Sequence, residues 1–109
     1  MEEGLQRRVA ANEALFREVN ESIERGLWPG EEDSVAAFRC ECAQLDCNQL
    51  VALTPRAYEV VRAHGRRFLV APGHERPEVE TVVETRPGYV VVEKRDEAGR
   101  LADARDPRA

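Results

Sequence analysis

Three cysteines, Cys40, Cys42 and Cys47, stand within eight positions in the stretch FRCECAQLDC, and the chain has no other cysteine. Thiolates are soft ligands and nucleophiles, so such a cluster can serve four ends. It can hold zinc with one further ligand. It can form a redox switch, in which a low-pKa thiolate meets a resolving cysteine. It can bind an iron–sulfur cluster, although these commonly take four cysteines. It can also be inert, since free cysteine packs as a small hydrophobe. Packing alone does not ask for three thiols so close together, and structural zinc is worth on the order of 10 kcal/mol to a small domain. Zinc is therefore the leading reading. Its fourth ligand would be one of two histidines, His64 or His74, or else a water. His64 precedes Gly65 at a helix end, where a cation suits the helix dipole. His74 follows a Pro-Gly turn in APGHERP that can hold an imidazole in a fixed direction. The expected set is Cys40, Cys42, Cys47 and His74, for Zn2+.

The elements that must position these ligands can be read from spacing. FRCEC alternates as a strand over 37–41, which puts Phe38, Cys40 and Cys42 on one face and turns Arg39 and Glu41 toward water. NQLVALT supplies a second strand over 49–53, so Cys42 and Cys47 lie on the connecting loop. Thr54 is an N-cap with Pro55 at the first helical position, and that helix runs to Gly65. RFLVA is a third strand, ended by Pro72-Gly73. VETVVET and YVVVEKR flank RPG as a terminal hairpin. By parity Glu78, Glu80 and Glu84 share a solvated face, with Val79, Thr81 and Val83 inward. Ahead of all this, residues 3–25 read as one helix stopped by Gly26. Leu5, Val9, Asn12, Phe16, Val19 and Ile23 form a heptad seam with one polar member. That seam either packs on its own domain or meets a protein partner or a second copy.

Sixteen basic against twenty-one acidic residues give a net charge of −5, which argues against nucleic acid as a partner. The best local basic patch is Arg62, Arg66 and Arg67, with Trp28, Phe68 or Tyr89 to stack on bases. The N-terminus has no apolar signal core and no apolar run is long enough to span a bilayer, so a cytoplasmic location is expected. An odd cysteine count in a reducing compartment argues against a disulfide framework. No catalytic serine triad, phosphate-binding glycine loop or H-E-x-x-H helix is present. Glu41 and Glu75 adjoin the proposed ligands, but Glu41 should point away from the metal. Three thiolates also leave little Lewis acidity for activating water. The chain therefore reads as non-enzymatic.

The run FRCECAQLDCNQLVALTPRAYEVVRAHGRRFLVAPGHERPEVETVVETRPGYVVVEK, preceded by NEALFREVNE, resembles a family of small, functionally uncharacterised proteins of high-GC Gram-positive (actinobacterial) bacteria. Its features are an F-x-C-E-C-x4-C segment, a Y-E-x-V-R helix, a P-G-H-E-x-P-E segment and a closing Y-x-V-V-E-K strand. Cys40, Cys42, Cys47 and His74 fall on the Cys and P-G-H positions of that pattern, while Ala57 stands where an acidic residue is expected. The resemblance covers residues 12 to 94 and implies an architecture rather than an activity.

The expected fold is α+β: a long N-terminal helix, a small antiparallel sheet with one internal helix, and a zinc knuckle. Residues 1–27 form the amphipathic helix, 34–95 the zinc-binding domain and 96–109 a disordered tail. The expected function is a zinc-stabilised interaction or regulatory module. A thiol-based redox sensor is the alternative, followed by a nucleic-acid-binding adaptor.

Overall fold

The computed structural model describes residues 3–108. Helix α1 (Glu3–Leu27) opens on an acidic residue and carries Arg25 in its last turn, charges that suit the two poles of a helix. Strands β1 (Ala36–Arg39) and β2 (Leu50–Leu53) pair antiparallel with Phe38 opposite Val51. Alternation sends Phe38, Val51 and Leu53 inward and leaves Ala37, Leu50 and Ala52 outside. Helix α2 (Pro55–Arg62) begins as its sequence dictates: the Thr54 hydroxyl accepts the Ala57 amide at 3.1 Å, and Pro55 sits where no donor is needed.

Strands β3 (Arg67–Val70), β4 (Glu80–Arg86) and β5 (Tyr89–Lys94) form an antiparallel sheet in the order β3-β5-β4. The β4–β5 turn is Pro87-Gly88, with Gly88 at φ 89°, a region glycine enters without steric cost. The core gathers Val51, Leu53, Phe68, Leu69, Val70, Val90 and Val92 around Phe38 and Tyr58, whose rings stack at 4.8 Å. The architecture is thus α+β, with the long N-terminal helix that the sequence announces.

Four features depart from the sequence reading. The single sheet divides in two, because the chain leaves β1 at Cys40 to build the thiol loop. One backbone bond from Glu41 N–H to the Leu69 carbonyl, at 2.7 Å, joins the halves. The tail expected to be disordered forms helix α3 over Asp96–Ala104. Its one long apolar side chain is the half-buried Leu101, and it also buries Gly99 and Ala102 and pairs Asp103 with Arg66 at 2.8 Å.

The remaining two departures concern polar residues. Helix α1 turns a polar stripe inward: Glu13, Arg17, Asn20, Glu21 and Glu24 are buried beside Val9. The heptad seam lies on its flank. Val9 is buried and Leu5, Asn12, Phe16, Val19 and Ile23 are half-buried; Ile23 packs on the core and the Arg39 guanidinium lies over Phe16 at 4.6 Å. On β4 the expected parity fails from the start, because Glu80 turns inward to pair with Lys94, and a register shift between Val82 and Glu84 breaks the alternation further on. Glu80 is buried, while Thr81 and Val83 are exposed.

Candidate metal centre

Each ligand is set by a local device. Cys40 leaves β1 with its amide still bonded to Gln49 O at 2.9 Å, so its position is fixed by the β1–β2 ladder. Cys47 closes a turn through its own amide to Gln44 O at 3.1 Å. The Arg39 guanidinium holds the Cys47 carbonyl at 3.3 Å. His74 ends a turn in which its amide reaches Ala71 O at 3.0 Å and Gly73 takes a φ of 87°. A side chain at Gly73 would strain that turn. The Glu75 carboxylate accepts the Gly73 amide at 2.9 Å, so it braces the turn.

These devices bring Cys40, Cys42, Cys47 and His74 together, with one ligand atom from each lying within 4.8 Å of all the others. No disulfide links the cysteines, and all three are buried. His74 Nδ1 stands 3.5 Å from Cys40 Sγ and 3.7 Å from Cys47 Sγ. Zinc–sulfur bonds of about 2.3 Å and zinc–nitrogen bonds of about 2.0–2.1 Å give a tetrahedral sulfur–nitrogen edge of about 3.6 Å. The donor set and its spacing therefore fit a metal ion of zinc's size and softness. The Ala71 amide also donates to Cys40 Sγ at 3.1 Å, a bond that favours thiolate over thiol.

The protonation of the cluster points the same way. A hydrogen bond shared with Cys42, together with burial, pushes the Cys40 thiol up. That same bond brings Cys42 down to about 5 against the cost of burial, helped by His74, the Gln44 amide and Cys47. Cys40 and Cys42 thus shift in opposite directions through the bond they share, and a metal ion bound there would favour both as thiolates.

The residue between these two ligands is one the sequence reading misplaced. Glu41 does point away from the thiols, as strand parity requires, but it faces protein rather than water and is 1% exposed. One carboxylate oxygen accepts the Leu69 amide at 2.9 Å. The other accepts Tyr58 OH at 2.6 Å and Asn20 Nδ2 at 2.9 Å. Burial raises the Glu41 pKa, while these three donors and Arg17 pull it back down. Glu41 therefore holds both the N–H and the C=O of Leu69 and anchors α1 and α2 beside the ligand strand. Asn20 completes the clamp: its Oδ1 accepts the Arg39 amide at 2.7 Å and its Nδ2 donates to the Arg39 carbonyl at 2.8 Å. It fills the outer edge of β1 as a neighbouring strand would. The signal that could have found Asn20 is the polar stripe of α1 at helical spacing.

The other sequence candidates lie apart from this cluster. His64 is exposed beyond the end of α2. The arginine patch is compensated by acids: Arg62 is buried against Glu21 and Asp106, Arg66 pairs with Asp103, and Arg67 pairs with Glu93 at 3.0 Å. Phe68 is buried beneath Arg17, 3.9 Å from ring centroid to guanidinium carbon, so it offers no stacking surface.

No protein-family model, curated protein or solved structure matches the chain, so its resemblance to the actinobacterial family rests on the sequence motifs alone. No helix among the described residues is long and apolar enough to cross a membrane.

Proposed function

We propose that the chain is a zinc-stapled, non-enzymatic interaction or regulatory module working in the cytoplasm, where thiols stay reduced. The observation that carries this reading is the convergence of three buried sulfurs and His74 Nδ1 within 4.8 Å. Zinc suits that set because it is borderline-soft and has no geometric demand of its own. Bound there, it would neutralise thiolate charge and tie the β1 end, the 42–47 loop and the turn after β3 into one unit. The acidic neighbours of the ligands support a structural role. Glu41 and Glu75 are both committed to backbone amides, which leaves neither as a base beside a metal-bound water. The α1 seam of Leu5, Val9, Asn12, Phe16, Val19 and Ile23 is the partner surface in this reading, with Val9 and Ile23 packed on the domain and the others half-buried.

Native mass spectrometry with metal analysis of the purified chain tests the reading. The expected result is one tightly held zinc per chain, with unfolding on chelation. His74→Ala should weaken zinc affinity while leaving the three sulfurs as ligands. A metal-free, stably folded chain with three titratable thiols would overturn the proposal and favour the redox alternative.

A further inference from the structure

The two sheets, β1-β2 and β3-β5-β4, are joined by the single Glu41–Leu69 bond, and β2 and β4 are the edge strands lying away from that junction. The two edges are built differently. Strand β4 carries Glu80, Glu84 and Arg86 and a register irregularity, features that discourage edge pairing. Strand β2 carries none of these. The stretch NQLVALT, residues 48–54, contains no charge and no proline, and its register with β1 is regular.

The hydrogen-bond alternation of β2 decides which groups face outward. Cys40 N–H bonds Gln49 O, so Phe38 with Val51 and Ala36 with Leu53 are the bonded pairs of the ladder. Leu50 and Ala52 then turn their N–H and C=O groups away from β1. Among the described residues no backbone hydrogen bond reaches these groups. The Leu50 side chain is 60% exposed, whereas Val51 and Leu53 are locked in the core and prevent the strand from slipping.

We propose that β2 is a dimerisation edge and pairs antiparallel with β2 of a second copy about a twofold axis through Val51. In that register Leu50 lies opposite the second copy's Ala52, and Ala52 opposite its Leu50. Every outward donor and acceptor of these residues then finds a partner. A large side chain meets a small one on the exposed face, and no like charges are opposed although each chain carries −5. The match of exposed Leu50 to exposed Ala52 in this symmetric register, on an uncharged strand, favours a second copy over a foreign strand. The assembly also closes at two: twofold pairing uses each chain's β2 edge once, Asn20 fills the outer edge of β1, and the β4 edge is charged and irregular. This inference does not depend on the metal.

Sedimentation velocity on the full chain, with its metal content measured, should show a concentration-dependent doubling of mass. Hydrogen exchange should show Leu50 and Ala52 amides becoming protected as concentration rises. The double variants Leu50→Lys/Ala52→Lys and Leu50→Glu/Ala52→Glu each place like charges in opposition and should weaken self-association about tenfold or more. Both positions are exposed, so circular dichroism and zinc content should not change. Mixing the two variants should restore a dimer, now heterotypic. A chain that remains monomeric at every concentration would overturn the proposal. So would dimers that persist in both double variants, or a monomer whose β2 amides are protected only by an added foreign peptide.

Discussion

The thiol cluster and the charge layer beneath α1 are both buried, yet only the charge layer is closed by the protein itself. Lys94 Nζ donates to both Glu13 and Glu80, and Arg62 donates to both Glu21 and Asp106. Arg17 gives one N–H to the Gly65 carbonyl at 2.6 Å and rests on the Phe68 ring. Each buried cation there has an anion within 4.0 Å, which makes the burial tolerable, although Arg17 Nε and Arg62 Nη1 have no hydrogen-bond partner. Around Cys40 the soft donors converge on one another, with a hydrogen bond between Cys40 and Cys42 and no Lys or Arg among the four grouped residues. Two sets of polar groups at similar depth thus differ in what surrounds them: one is met by distant parts of its own chain, the other is a donor set that could hold a metal ion.

Breaking the cluster should cost most. Cys40→Ala removes the ligand that the β1–β2 ladder and the Ala71 amide both hold. It should abolish cooperative folding, since a structural zinc is worth on the order of 10 kcal/mol. Near-UV circular dichroism melts beside zinc content will read this; a normal melt in a zinc-free variant would show that the cluster is not the staple.

Next in size is Glu41, which joins the two regions. Glu41→Ala leaves the buried Leu69 amide without its acceptor and takes the shorter of two acceptors from Tyr58 OH and one of two from Asn20 Nδ2, at about 3–5 kcal/mol in urea denaturation. Glu41→Gln, which keeps an acceptor oxygen, should recover part of that loss.

The smallest effect concerns the charge layer and depends on pH. Burial raises Glu13 from 4.5 to about 7, opposed by Lys94 and aided by Glu80 and Cys42. A carboxyl raised in the folded state gives stability that is full below about pH 4.5 and is lost as pH rises through about 7. Glu13→Gln mimics the protonated acid and leaves Lys94 its bond to Glu80. Urea midpoints should therefore match wild type near pH 5 and exceed it near pH 8 by about 1–3 kcal/mol. A variant weaker than wild type at pH 8 would mean that the ionised Glu13–Lys94 pair is net stabilising.

Much of the site was legible because its devices are local. The C-x-C spacing on a strand, the Pro-Gly turn before His74 and the Thr54-Pro55 cap each act within a few residues of themselves. Glu41, Glu80 and Arg62 were placed in solvent or on a surface patch because parity and periodicity track apolar side chains. A buried charge looks like a surface one until its partner is known. Arg62 and Asp106 stand 44 positions apart and Lys94 and Glu13 stand 81 apart, so no window of sequence contains both members.

By itself the sequence determined the long helix α1, the capped helix α2, the Pro87-Gly88 hairpin and the nearness of three thiols, since each follows from backbone preferences and short-range spacing. Only the tertiary structure decided that α1 turns a polar stripe inward, that Glu41 and Asn20 clamp the ligand strand, and that residues 96–104 fold as α3. Those outcomes depend on which distant charge or amide arrives to satisfy a buried group, and that is settled only when the whole chain packs.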